Sequence, residues 1–114
     1  MSEPAATLGR TIAEARKKLG MSQKVLAEKI LREEDGSPIS PQYLNDIEHD
    51  RRSPSSDHMI QQFAGVLGLS ESYLYYLADR VPAQVRKIGL NSIEVEKWVN
   101  QAAAFRRSGS AKKR

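Results

Sequence analysis

The stretch Ile39-Ser-Pro-Gln-Tyr-Leu-Asn-Asp-Ile-Glu-His-Asp-Arg-Arg52, "ISPQYLNDIEHDRR", decides how the chain reads. Ser40 followed by Pro41 marks a helix start. The serine hydroxyl caps an open N–H, and proline at the first helical position lacks only an N–H that has no partner there. Leu44 and Ile47 supply an inward face, while Gln42 and Asn45, three apart, fall together on the outer one. Asp46, Glu48 and Asp50 precede the first bases, Arg51 and Arg52. The result is a short helix with an amide outer face and an acidic balance, followed by a basic turn.

Working outward, every clear periodicity is helical. Leu8, Ile12, Ala15 and Leu19 form a stripe, with Thr7 as cap in front and Gly20 behind. Ser22 starts a second helix, with Val25, Leu26, Ala27, Ile30 and Leu31 as its apolar face, and Asp35-Gly36-Ser37-Pro38 breaks the pattern. After the quoted helix and the loop "RRSPSS", Ser55 or Ser56 caps a fourth helix with Ile60, Phe63, Ala64 and Leu67 inside, ended by Gly68. Ser70 caps a fifth, carrying Tyr73, Leu74 and Leu77, which stops before Pro82. No alternating β-branched run is long enough for a strand.

The expected fold is therefore all-α: a flexible N-terminus over 1–6, a five-helix body over 7–82, a connector and C-terminal helix over 83–107, and a flexible basic tail over 108–114. Ser92 is read as the cap of that last helix. Val95, Trp98, Val99, Ala102 and Phe105 share one side of it. Outside the body they either pair with a second copy, pack back on the chain, or hold a foreign partner. Dimerisation is the leading expectation.

Composition narrows the function classes. The chain has 114 residues and a formal charge of +4, enough for one domain with a modest core. Positive charge gathers in 1–30 and 81–114, whereas 31–50 is acidic. There are no cysteines, hence no thiolate nucleophile, disulfide or Cys-based zinc site. His49 and His58 lack a metal-ligand spacing. Without a His–carboxylate constellation or a glycine-rich phosphate loop, neither enzyme chemistry nor a cofactor or metal is expected. The N-terminus has no apolar signal region and no apolar run is long enough to span a bilayer, so a soluble, cytoplasmic protein is expected.

The ordered set of marks resembles the Cro and phage-repressor helix-turn-helix family, the xenobiotic-response-element type. Those marks are Arg16 four before Gly20, Ser22-Gln23 opening the second helix, Leu26-Ala27 inside it, Ile39-Ser40 before the third, Glu48 at its end, and Pro54 ahead of a helix closing in "GVLGLS". The resemblance covers roughly residues 8–79. It implies a five-helix lambda-repressor-like domain, with the second helix crossing the DNA backbone and the third, over 40–49, in the major groove. It also implies a bacterial or phage-encoded regulator, mostly dimeric and repressing, in a family that includes antitoxins. Three departures stand out: an insertion around 31–38 where the family has a short turn, Asp50 in place of a glycine, and Pro41 at the first recognition position.

The resemblance assigns Glu48 to a structural ion pair with Arg16, and a phosphate contact to Gln23. Lys24 lies at the same helix start, where the helix dipole favours an anion. Ser40, Arg51, Arg52 and Ser53 are further candidates for phosphates, and Gln42 and Asn45 for bases, since an amide side chain makes two hydrogen bonds to adenine. Asp46 could accept from cytosine or repel wrong docking. Tyr43 could touch a phosphate or a thymine methyl, or pack on its own fold. The acidic insertion is a solvated turn or a surface for a protein partner. The leading function is a homodimeric repressor on an inverted repeat of double-stranded DNA. The alternative is an antitoxin or other interaction module that holds a toxin or anti-repressor through 31–38 or the 93–107 helix.

Overall fold

The computed structural model describes residues 6–112. Among them lie seven helices in order, α1 Leu8–Lys18, α2 Gln23–Lys29, α3 Pro41–Glu48, α4 Asp57–Leu67, α5 Glu71–Leu77, α6 Ala83–Ile88 and α7 Ser92–Lys112. The chain divides into two compact units, 1–82 and 83–114.

The first unit repeats one local device. Each of its five helices opens on a hydroxyl that accepts an otherwise open N–H: Thr7 from Arg10, Ser22 from Val25, Ser40 from Tyr43, Ser56 from Met59 and Ser70 from Tyr73. Such a cap stabilises a helix by about 1 kcal/mol over alanine. The helices then bury their apolar stripes on a common core of Ile12, Leu26, Leu44, Ile47, Ile60, Phe63, Leu74 and Tyr75, all essentially inaccessible to water. The Tyr75 hydroxyl accepts from Gln61 Nε2 at 3.0 Å, so the buried phenol keeps a polar partner. Arg80 locks the last helices by donating to Asp57 and to the Pro54 carbonyl, both at 3.0 Å.

Four expected core positions differ. Leu19 caps α1 and is exposed, as are Val25 on α2, Leu31 just beyond it and Tyr73 on α5; Tyr75 takes the inward place on α5. Single exposed apolar side chains are ordinary on a protein surface.

The second helix, whose expected apolar face runs to Leu31, ends at Lys29, and the insertion adds no turn to it. Ile30 leaves α2 in an extended conformation, and the chain folds into a small hairpin that brings Ile39 back beside it. The Ile39 N–H donates to the Ile30 carbonyl at 2.9 Å, and the Arg32 N–H donates to that of Ser37 at 2.8 Å. Leu31 and Pro38 form an isolated antiparallel bridge. Gly36, at φ +71°, makes the return. Both isoleucines are buried. The Gln62 side chain on α4 secures the outer side of the hairpin, accepting from the Leu31 N–H at 2.8 Å and donating to its carbonyl at 2.6 Å. Backbone groups released at the end of α2 thus find partners without another helical turn.

In the second unit, the connector contains α6, one helix more than expected. The cap of α7 is Asn91 rather than Ser92. Asn91 Oδ1 accepts from the Glu94 N–H at 2.9 Å and Glu94 Oε1 accepts from the Asn91 N–H at 3.0 Å, a reciprocal capping box. The helix continues through Lys112, so residues 108–112, expected as part of a flexible tail, are helical. Residues 1–5 of the expected flexible N-terminus and 113–114 of the expected tail lie outside the described residues. No helix among the described residues is long and apolar enough to cross a membrane.

Candidate nucleic-acid interface

The third helix has a sharp division of faces. Leu44 and Ile47 are sealed in the core, and Glu48 is buried beside them, while Pro41 and Gln42 are exposed and Tyr43, Asn45 and Asp46 are half-buried. Glu48 anchors the helix from below. Arg16 reaches it with two parallel hydrogen bonds, Nε to Oε2 at 2.7 Å and Nη2 to Oε1 at 3.0 Å, and its remaining Nη1 donates to the Met21 carbonyl at 2.8 Å. Paired guanidinium and carboxylate groups of this geometry are directional as well as attractive, which fixes α3 against α1.

Gln23 joins the same network. Its Nε2 donates to Glu48 Oε1 at 2.9 Å and to Asn45 Oδ1 at 3.0 Å. Both amide hydrogens are thereby used inside the protein, and the first residue of α2 orients a side chain of α3. Its neighbour Lys24 is exposed at the start of α2.

On the outer side, Gln42 Nε2 donates to Asp46 Oδ1 at 3.1 Å. The same oxygen accepts from Arg51 Nε at 3.3 Å and Nη2 at 3.2 Å. Asp46 therefore ties the outer face of the helix to the loop that follows, and Arg51 is already partnered before any ligand arrives. Arg52 is placed differently: its guanidinium carbon lies 4.8 Å from the centroid of the Tyr43 ring. Arg32, from the insertion, approaches the same ring at 6.0 Å. Ser40 and Ser53 are exposed at the two ends of this surface, with the Ser40 hydroxyl engaged in capping.

Asp50 has a role that its substitution for glycine did not suggest. It adopts φ +60°, and its carboxylate accepts from the Gly9 N–H at 2.9 Å and from the Thr7 hydroxyl at 2.6 Å. The end of α3 thus caps the start of α1, where a negative charge also suits the helix dipole.

Of the site residues singled out in the sequence, Gln42, Asp46 and Arg51 are joined by hydrogen bonds and Tyr43 and Arg52 by ring contact, while Arg16 and Glu48 pair in the interior. Gln23 points inward, toward Asn45 and Glu48, and the cluster Val95, Trp98, Val99, Ala102 and Phe105 belongs to the second unit. Sequence reasoning passed over Arg32, the one base in the acidic 31–50 segment, and Gln62, which holds the insertion in place. Arg32 had a signal in that isolation. Gln62 had none, because its partner is 31 residues away.

Elsewhere in the insertion, the Ser37 N–H and hydroxyl both donate to the Asp35 carboxylate, at 3.0 and 2.7 Å. Those bonds, first of all the backbone one, hold the Asp35 carboxyl below its ordinary value, with the charge of Arg32 adding in the same direction. No group of His, Asp or Glu side chains among the described residues is arranged to hold a metal ion.

Residues 12–74 match the family model for the helix-turn-helix. No curated relative matches the chain. Among solved structures, a chain of the SinR protein/SinI protein complex has a similar fold, at 22% identity and a TM-score of 0.50, over 90% of this chain and 99% of that one.

Proposed function

The chain belongs to the Cro-like, xenobiotic-response-element type of helix-turn-helix DNA-binding regulators, and from that premise we propose that it is a homodimeric repressor reading an inverted repeat, with α3 in the major groove. The observation that carries this reading is the division of α3. Its inward side is locked by Leu44, Ile47 and the Arg16–Glu48 pair, while the amide of Gln42 is exposed and that of Asn45 half-buried. Asn45 is held by Gln23 through Oδ1, which leaves its Nδ2 to donate to a base edge; Gln42 has its Oε1 and one amide hydrogen for the same purpose. Tyr43 lies beside them and Asp46 orients Gln42. Arg51, Arg52, Ser53, Ser40 and Lys24 surround this surface and supply phosphate contacts that set register. With both amide hydrogens committed, Gln23 serves more by positioning Asn45 than by gripping a phosphate.

The second copy is assigned to α7. Trp98, Val99, Val95 and Phe105 are exposed along it, and their spacing of three and four suits a helix-on-helix seam. A partner protein is the second reading for that surface, and the solved SinR chain was captured in a complex with the SinI protein.

Selection of bound sequences from a random DNA library tests the reading directly. A preferred site with two-fold symmetry is expected, its affinity falling steeply with added salt. Gln42→Ala should relax preference at one position per half-site by about 1–3 kcal/mol while leaving the fold intact. If the wild-type protein enriches no sequence, the reading fails.

A further inference from the structure

The insertion at 31–38 reads as acidic in sequence, but the structure turns its single arginine toward the recognition helix. The hairpin closes through the Arg32–Ser37 and Ile30–Ile39 backbone bonds, and Gln62 grips Leu31 from both its N–H and its carbonyl. Arg32 therefore projects from a backbone fixed on both sides. Its guanidinium and that of Arg52 converge on the Tyr43 ring, at 6.0 and 4.8 Å from the centroid. Among the described residues, neither forms an ion pair of the kind that occupies Arg51 with Asp46. Asp35 feels the charge of Arg32, but its hydrogen bonds go to Ser37.

The ring face favours each cation only weakly, and no carboxylate among the described residues pairs with either of them. A guanidinium in that state pairs well with phosphate oxygens. The geometry points to the insertion being a wing that binds DNA. Arg32 takes a backbone phosphate next to the N-terminal half of α3, with Arg52 alongside and Tyr43 holding the two in place. This contact rests on the proposed DNA-reading function and extends it to a segment that the resemblance leaves without a role. Glu33 and Glu34 are exposed in the same loop, so the wing acts through the placement of one cation and not through its net charge.

The test compares the wild-type protein with Arg32→Gln on the selected operator and on a scrambled duplex, across a salt series. Each lost phosphate contact lowers the steepness of log K against log salt by about 0.9. Arg32→Gln is expected to weaken both duplexes alike, about tenfold at moderate salt, and to reduce the slope by about one. Gln62→Ala, which frees the wing, should move both quantities in the same direction by less. Circular dichroism of Arg32→Gln should match the wild type, because the side chain is exposed. An unchanged affinity and slope would overturn the inference while leaving the proposed function standing. A loss on the operator with the scrambled duplex unaffected would also overturn it, in favour of base reading. If the wild-type protein binds neither duplex, the proposed function falls and this contact falls with it.

Discussion

At Glu48 one buried carboxylate serves three donors, two from Arg16 and one from Gln23. Taking away one partner of such a pair leaves the other charge buried and uncompensated, at a cost of about 3–5 kcal/mol. Glu48→Ala should lower the urea midpoint by that equivalent, and a change under about 0.5 kcal/mol would contradict the anchoring role. The types and spacing of Arg16 and Glu48 were readable as a family mark before any coordinates. Gln23 was not, because a polar residue at a helix start serves an outside phosphate or an inside carboxylate equally well. Only the packing angle of α2 on α3 decides between them. Asp50 misled for a related reason. Its positive φ could be anticipated from the family's glycine, whereas its cap on Thr7 and Gly9 depends on where α1 begins in space.

The first helix begins so close to the end of the third that there is no room for a side chain at Gly9. A methyl group there would meet the Glu48 carbonyl oxygen at 2.6 Å and Asp50 Oδ1 at 2.7 Å. Gly9→Ala should therefore destabilise the fold by about 1–3 kcal/mol, the usual cost of overpacking. Gly65, exposed on α4 with nothing near its missing methyl, should behave oppositely: Gly65→Ala should raise stability by up to about 1 kcal/mol. Parallel thermal melts of the two variants compare them directly, and a shift of the same sign in both would refute the contrast. Helices with hydroxyl caps and apolar stripes were legible in sequence because both signals are local. The hairpin at 30–39 was not. Its polar run resembles a helix end, and what stabilises it is a glutamine on α4 together with backbone pairs that only the folded chain brings together.

At the scale of the whole molecule, α7 presents its apolar side chains without cover: Trp98 is 42% and Phe105 77% exposed. A second copy is the expected cover, since one patch meeting its own image closes a two-fold dimer. Trp98→Glu should move the protein from dimer to monomer in sedimentation equilibrium and weaken operator binding at low protein concentration, with helix content unchanged. A wild-type protein that stays monomeric at about 50 µM, and binds operator half-sites without cooperativity, would remove the dimer assignment.

The grip of Gln62 on Leu31 carries an evolutionary corollary. Its side-chain amide copies a neighbouring strand, giving one donor and one acceptor to a single residue of the loop. In a homologue whose second and third helices meet through a short turn, a glutamine at that place on α4 would lack these two backbone partners. Hairpin and glutamine are therefore expected to occur together among homologues.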